Sequence, residues 1–372
     1  MDSLLRSFYS LAPVNSLKLP NDCSFAAISQ CLVANILQDD HFLSYPPSRQ
    51  YQRRFWKWAI ESLEDLSRKQ TGEEDDDFEI DSRLYDHYLS LMPSSGPATG
   101  SSDPGLRSQL CGRGLPMQDL APSPSYITRF WKQREAGNNQ AYEKITLLES
   151  LTTIESGTTG MRTWFASFAL AGSTQELIMS KRVLELGSGV GFLGILSASI
   201  QVNGEEISSS PSRPSLWLTD VNEEVLSRCH DNVSLACNTS SRHPDIHFLK
   251  LDWSDSQNAE ELPAFTTMIH EKINPEIILG ADVAYGPSII PSLVGTLKIA
   301  LARTENTSRG QKVALIALTV RNESTVGGFF DQVAASGLVI EKIDVESHTS
   351  MESIEGQNVT ERVELFKIFH AE

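Results

Sequence analysis

The chain has 372 residues, 40% of them hydrophobic, which is enough for one large domain and a smaller one. A net charge of −17 argues against the basic surface of a nucleic-acid-binding protein, and no apolar run is long enough to cross a bilayer. The start of the chain shows no secretory signal, and the 5 scattered cysteines are typical of reduced thiols in the cytosol. We therefore expect a cytoplasmic protein that binds neither membranes nor nucleic acid directly, and we take it to be a monomer.

Residues 1–91 have the pattern of a small helical region. Apolar side chains recur at helical spacing within 25–37 and again within 55–63. Pro20, Asn21 and Asp22 precede the first of these segments and predict the start of a helix there. Two roles are open for this region, namely recognition of a protein substrate and stabilisation of the domain that follows.

Residues 92–125 differ in composition from both neighbours. They are rich in proline, serine and glycine, which predicts a linker or a long loop. The acidic run 73–77 is typical of a solvated loop. We therefore expect a second domain over residues 126–372.

The second domain shows alternating strand and helix patterns. Helical patterns cover residues 223–236 and 289–302, and short apolar runs between such segments predict buried parallel strands at 182–186, 216–219, 246–251, 277–279 and 313–320. Two further runs, 338–345 and 363–369, predict an antiparallel pair at the C-terminal side of the sheet. The pattern indicates an α/β fold.

A glycine-rich turn follows the first predicted strand of this domain. It contains Gly187, Ser188, Gly189 and Gly191, and glycines let a ligand approach the backbone closely. Asp220 ends the next strand, where a carboxylate can accept hydrogen bonds from both hydroxyls of an adenosine ribose.

Two classes of cofactor fit this turn. Residues 189–194 match the dinucleotide pattern Gly-x-Gly-x-x-Gly, whereas Glu185 with the three glycines that follow matches the pattern of methyltransferases. We favour the second pattern because Asp252 and Trp253 follow the third strand, where they suit the exocyclic amine and the face of an adenine. The predicted cofactor is S-adenosylmethionine.

Four segments of this domain resemble the seven-strand methyltransferases of family 16, many of which methylate lysine in proteins other than histones. The segments are 183–196, 218–222, 251–253 and 280–285, and the last contains the family signature Asp-x-x-Tyr as Asp282 and Tyr285. The resemblance implies a Rossmann-like sheet of seven strands with the last strand antiparallel, preceded here by the smaller helical region. A narrower resemblance, over 155–164 and 318–322, is to the lysine methyltransferases of eukaryotic elongation factor 2, and it implies that this factor is the protein substrate.

The family resemblance also implies positions around the cofactor. Trp164 would line its methionine end, Gly187 to Gly189 would pass beneath it, and Asp220 would hold the ribose. Trp253 would flank the adenine, and Ala281 would lie against the cofactor at the end of the fourth strand.

Methyl transfer to lysine needs a neutral amine, and a free lysine has a pKa of about 10.4. We expect Asp282 and Tyr285 to be the catalytic residues, which hold the amine through hydrogen bonds without any metal. The alternative is structural: Asp282 caps the next helix, and Tyr285 packs on the sheet.

Two other functions are open. A nicotinamide-dependent oxidoreductase needs a proton donor for hydride transfer, and no Tyr-x-x-x-Lys pair or comparable feature is visible. A non-catalytic interaction module could keep the fold, but the intact glycine turn and the Asp282 and Tyr285 pair argue against such degeneration.

Overall fold

The structure is a computed structural model that describes residues 1–70, 79–92, 123–132, 142–205, 213–303, 310–343 and 361–371. The acidic run 73–77 and nearly all of the predicted linker lie outside these residues. The contacts divide the chain into two compact units, Met1–Tyr126 with Ser150–Thr152, and Ile127–Glu149 with Thr153–Glu372. Within the described ranges, no helix is both long enough and apolar enough to span a membrane.

The first unit contains an α-helical N-terminal region, as predicted. Its helices are α1 (Asp2–Tyr9), α2 (Phe25–Leu32), α3 (Asp40–Ser44), α4 (Arg49–Gln70) and α5 (Ser82–Ser90). Aromatic side chains form its core, where the ring centroids of Phe8 and Phe55 lie 4.3 Å apart. The predicted start signal at residues 20–22 is wrong, because α2 begins at Phe25 and the Ser24 hydroxyl accepts a hydrogen bond from the Ala27 amide at 3.3 Å.

The second unit contains a mixed sheet, and the described residues contribute seven strands to it. They are β3 (Arg182–Leu186), β4 (Ser215–Asp220), β5 (Ile246–Lys250), β6 (Ile277–Ala281), β7 (Val313–Thr319), β8 (Leu338–Ile343) and β9 (Val363–His370). Their order is β5-β4-β3-β6-β7-β9-β8. The first five are parallel, and β9 runs antiparallel to both β7 and β8. The predicted α/β fold and C-terminal antiparallel pair are confirmed.

Helices lie before, between and after the parallel strands. They are α6 (Phe165–Ile178), α7 (Phe192–Glu205), α8 (Glu223–Val233), α9 (Leu262–Thr267), α10 (Ile290–Leu301) and α11 (Glu323–Ala335). An asparagine precedes two of them: the Asn222 side chain accepts from the Glu224 amide at 2.9 Å, and the Asn322 side chain accepts from the Ser324 amide at 3.0 Å. The helix predicted at 223–236 is present as Glu223–Val233, three residues shorter at its C-terminal end, and the helix predicted at 289–302 is present as Ile290–Leu301, one residue shorter at each end.

The sheet buries both of its faces, because alternate residues of a strand point to opposite sides. Val183 belongs to the apolar cluster on the side of α6 and α7, whereas its neighbour Leu184 belongs to the cluster on the side of α9, α10 and α11. The strand order reverses at β3, whose neighbours are β4 and β6. In sheets of this kind, ligands bind at such a switch point, beyond the carboxyl ends of the strands.

A two-stranded sheet of β1 (Ser125–Lys132) and β2 (Tyr142–Glu149) lies outside the sequence prediction. Two buried asparagine side chains pair with the backbone of β2 as another strand would. Asn238 accepts from the Thr146 amide and donates to the Thr146 carbonyl, each at 2.8 Å. Asn232 does the same with Leu148, at 2.8 and 3.3 Å. The hairpin is thereby attached to the segment that contains α8.

Candidate functional site

The glycine turn after β3 lies at the switch point of the sheet. Gly187 and Gly189 have φ values of +67° and +53°, a region that favours glycine. A Cβ atom built on Gly187 would lie 3.3 Å from Val283 and 3.7 Å from the Trp253 ring. Trp253, which the sequence placed after the third strand, is therefore brought to this turn.

Two other residues of the turn serve the packing of the protein itself. The Ser188 amide donates to the Thr219 carbonyl at 2.8 Å, and the Ser188 hydroxyl accepts from the Thr219 amide at 2.9 Å. A Cβ atom built on Gly191 would lie 2.9 Å from the Cys229 sulfur of α8. Gly191 thus permits close packing of this helix, and the hydroxyl of Ser188 is directed to β4.

The Asp220 carboxylate stands beside the turn. Its Oδ2 accepts from the Gly189 amide at 3.3 Å, and its Oδ1 accepts from the Asn222 amide at 3.0 Å. Burial raises the pKa of this carboxyl. A carboxylate has about four acceptor positions, so these two bonds leave capacity for the hydroxyls of a ribose.

Glu185 contributes a second carboxyl from β3. Its side chain is only 4% exposed, and burial raises its pKa to about 8. Its Oε2 atom has no hydrogen-bond partner among the described residues. A buried polar atom without a partner is costly, and a bound ligand or its water can satisfy it.

Asp252 and Trp253 follow β5. The Asp252 Oδ1 atom accepts from the amide and the hydroxyl of Ser254, at 2.9 and 2.7 Å, and so begins the short 3-10 turn Trp253–Ser256. The side chain of Asp252 is exposed, while that of Trp253 is half-buried against the glycine turn. Their arrangement suits a flat base lying on the indole beside a carboxylate.

The segment from Glu155 to Trp164 closes the other side of the turn. Glu155 and Thr158 exchange backbone hydrogen bonds at 3.0 and 3.1 Å, which makes a tight loop. A Cβ atom built on Gly189 would lie 3.2 Å from the Gly160 carbonyl oxygen of this segment. The Trp164 indole donates to the Thr159 carbonyl at 3.0 Å. Trp164 therefore lies on a segment that contacts the glycine turn.

Two hydrogen bonds anchor the end of the same segment. The Thr163 amide and hydroxyl donate to the Glu149 carboxylate at 3.1 and 2.8 Å. Arg129 pairs with Glu149 at 3.6 Å, and both side chains are buried. The orientation of Trp164 is thus held from β2 as well as from its own loop.

Asp282 directly follows Ala281, the last residue of β6, and the φ of Asp282 is +55°. Its Oδ1 accepts from the Thr319 amide at 2.7 Å, and its Oδ2 accepts from the Thr319 hydroxyl at 2.9 Å. These partners stand at the end of β7, so the carboxylate joins two strand ends instead of capping the next helix. Tyr285 is 72% exposed and does not pack on the sheet.

Sequence reasoning missed Thr319 and Arg321 as members of this region. The Arg321 guanidinium lies 3.3 Å from Asp282 Oδ2 and 4.8 Å from the centre of the Trp164 ring. Arg162 also lies over the Trp164 ring, at 5.3 Å. The only sequence signal was the resemblance over 318–322, which carried no role for these side chains.

Comparisons with known proteins found similar methyltransferases. Residues 153–335 match the model of a family described as lysine methyltransferase. The resemblance predicted from the sequence is confirmed. Protein-lysine N-methyltransferase EFM3 of Chaetomium thermophilum is 31% identical over 237 residues, which cover 62% of this chain and 64% of that protein. Protein-lysine N-methyltransferase EEF2KMT of Homo sapiens is 32% identical over 205 residues, which cover 52% of this chain and 56% of that protein.

The similarity thus spans less than two thirds of the length of either relative. Among solved structures, NSun6 from Pyrococcus horikoshii aligns with a TM-score of 0.38 at 12% identity, covering 64% of this chain and 61% of that chain.

Proposed function

We propose that this chain transfers a methyl group from S-adenosylmethionine to a lysine side chain of a protein, and that the protein is elongation factor 2. The match of residues 153–335 to a lysine methyltransferase family supports the reaction. The resemblance of 155–164 and 318–322 to the enzymes that modify elongation factor 2 supports the substrate. The same proposal makes the protein a cytoplasmic monomer with no direct nucleic-acid partner.

One observation carries the proposal. Trp253 and the Trp164 segment contact the glycine turn from two directions, and Arg321 connects Trp164 to Asp282. This arrangement supports a cofactor site beside a transfer site at the carboxyl edge of the sheet, where ligands of such folds bind.

The residues around the turn fit S-adenosylmethionine by the chemistry of their side chains. Asp220 would hold the ribose hydroxyls, and Asp252 and Trp253 would hold the adenine. The backbone from Gly187 to Gly189 would pass beneath the cofactor, while Trp164 and Ala281 would line its methionine end. Glu185 adds a buried carboxyl whose Oε2 atom has no hydrogen-bond partner among the described residues, and a bound cofactor or its water can satisfy that atom. When bound, this cofactor supplies an electrophilic methyl group on a sulfonium.

The chain itself must bring a neutral amine to that methyl group. We assign the direct amine contact to Tyr285, since its hydroxyl can donate and accept and its side chain is 72% exposed. The Asp282 carboxylate already accepts bonds from Thr319 and Arg321, so it orients the amine from a fixed position. Together they would align the amine and ease the loss of its proton.

Binding and transfer assays test the proposal. Calorimetric titration of the purified chain with S-adenosylhomocysteine should give saturable binding, and titration with a nicotinamide dinucleotide should not. With S-adenosylmethionine labelled on its methyl group, the label should move to elongation factor 2. Asp220→Asn should weaken cofactor binding, because an amide oxygen accepts ribose hydroxyls less well than a carboxylate does. Binding of the dinucleotide instead, or no label on any protein, would refute the proposed activity.

A further inference from the structure

Arg321 lies between the two halves of the proposed site. It follows β7, and its Nη2 atom is 3.3 Å from Asp282 Oδ2 and 3.8 Å from Glu361 Oε2. Its guanidinium also lies over the Trp164 indole, 4.8 Å from the ring centre. One planar group thus contacts both the acidic residue after β6 and the aromatic residue before α6.

The Asp282 side chain is held by Thr319, the last residue of β7, and by Arg321, two residues further on. It is 6% exposed, and its oxygens accept from the Thr319 amide, the Thr319 hydroxyl and Arg321. The first two bonds fix the carboxylate against the strand end. The third bond comes from Arg321, whose guanidinium also lies over the Trp164 ring.

We propose that Arg321 is a positioning residue that couples the transfer site to the cofactor site by holding Asp282 and Trp164 in one arrangement. The inference rests on the proposed function. A guanidinium can donate in its plane to a carboxylate while its face lies on an indole, whereas an ammonium offers no planar face for the second contact. Arginine therefore suits this double contact better than lysine, whose compact ammonium can lie over a ring but cannot stack on it.

The proposed coupling predicts that loss of the Arg321 guanidinium has a small effect on cofactor affinity and a larger effect on kcat. Without the guanidinium, Trp164 loses one cation–π contact, which corresponds to about 2- to 5-fold in cofactor affinity. The Asp282 carboxylate loses its link to that ring, and misplacement of a group near the reaction lowers turnover by up to about 100-fold. The KM for the protein substrate should change little, because the direct amine contact is assigned to Tyr285 and not to Arg321.

Four variants of the full-length protein test this coupling: Arg321→Gln, Arg321→Lys, Asp282→Asn and the double variant Arg321→Gln/Asp282→Asn. Arg362→Gln is the control, since Arg362 is a 59% exposed arginine of the same region that pairs with Glu323 and Glu364. Affinity for S-adenosylhomocysteine is measured by calorimetry, and kcat and KM are measured with elongation factor 2.

For Arg321→Gln we expect a lower kcat with an unchanged KM for elongation factor 2. Arg321→Lys should not recover the full wild-type kcat. The control variant should have the wild-type kcat, KM and affinity. The double variant should be about as slow as the slower single variant, because both changes break one connection. Wild-type turnover and affinity in Arg321→Gln, full recovery by lysine, or independent effects in the double variant would overturn the inference.

The affinity measurement and the kinetic measurement together distinguish a failure of this inference from a failure of the proposed function. If the wild-type protein binds S-adenosylhomocysteine but methylates no lysine, the proposed function fails, and the affinity of Arg321→Gln still decides the inference. An unchanged affinity then overturns it, and a loss in the expected range supports it. If the wild-type protein does not bind S-adenosylhomocysteine, both proposals fail.

Discussion

The buried carboxyl of Glu185 links the stability of the protein to pH. Its pKa is about 8 in the folded chain, against 4.5 for an ordinary glutamate, because burial disfavours the charged form. Between these values the folded state keeps a proton that the unfolded state releases. This contribution to stability is therefore complete below about pH 4.5 and is lost as the pH rises through about 8.

Replacement of Glu185 by glutamine should stabilise the protein more at high pH than at low pH. Glutamine cannot ionise, so the difference in unfolding free energy between variant and wild type should grow from about pH 5 to about pH 8.5. We expect growth of at least about 1.4 kcal/mol, which corresponds to one unit of pKa. Urea denaturation at both pH values measures it. Other buried groups, such as His243, whose pKa burial lowers to about 4, cancel in the difference. A difference that does not vary with pH would contradict this account of Glu185.

The hydroxyl of Tyr285 and the carboxylate of Asp282 should matter for turnover more than for cofactor binding. Tyr285→Phe removes only the hydroxyl, and Asp282→Ala removes the carboxylate. Each should lower kcat by about 10²- to 10⁴-fold if the group helps the amine lose its proton. Steady-state kinetics give kcat, and calorimetry with S-adenosylhomocysteine gives the affinity. Wild-type turnover in both variants, or inactivity explained by unfolding in circular dichroism, would remove these residues from the catalytic assignment.

At the scale of elements, two asparagine side chains hold the β1–β2 hairpin in place. Asn238→Ala would remove both hydrogen bonds that the Asn238 side chain makes with the backbone of the buried Thr146. Loss of these bonds should lower the free energy of unfolding by about 1 to 3 kcal/mol. Chemical denaturation measures the change. Asn258→Ala is the matched control, because Asn258 is exposed and its side chain accepts a local bond from the Glu260 amide at 3.0 Å, so its replacement should cost about 0.5 to 1 kcal/mol. Equal losses in the two variants would show that the pairing with β2 contributes nothing.

The elements that sequence reasoning found are those with a local signal. Strand β3 has the predicted bounds 182–186, because an apolar run ends at a glycine turn that no regular element can continue through. The hairpin β1–β2 was missed, because β2 pairs with side chains that lie about 90 residues further along the chain. The contact between Asp282 and Thr319 was missed for the same reason, since it joins residues 37 positions apart. Such contacts depend on how strands are arranged in the sheet, which periodicity does not reveal.

At the scale of the whole molecule, the N-terminal helical region should recognise the protein substrate. A chain that begins at residue 126 should bind S-adenosylhomocysteine with nearly unchanged affinity, because the glycine turn and its neighbours all lie after that residue. It should methylate elongation factor 2 poorly, which labelled S-adenosylmethionine measures. Full activity would exclude a recognition role, and failure of the shortened chain to fold would show that the region stabilises the protein instead.

The central claim is that the chain methylates lysine in elongation factor 2. Tandem mass spectrometry tests it most directly, on elongation factor 2 purified from cells that lack this protein and then incubated with the purified chain and S-adenosylmethionine. We predict one or more methyl groups on a lysine side chain with the wild-type chain, and far less with Asp220→Asn. Unmodified lysines in the presence of wild-type chain that binds the cofactor would contradict the assignment of elongation factor 2 as the substrate.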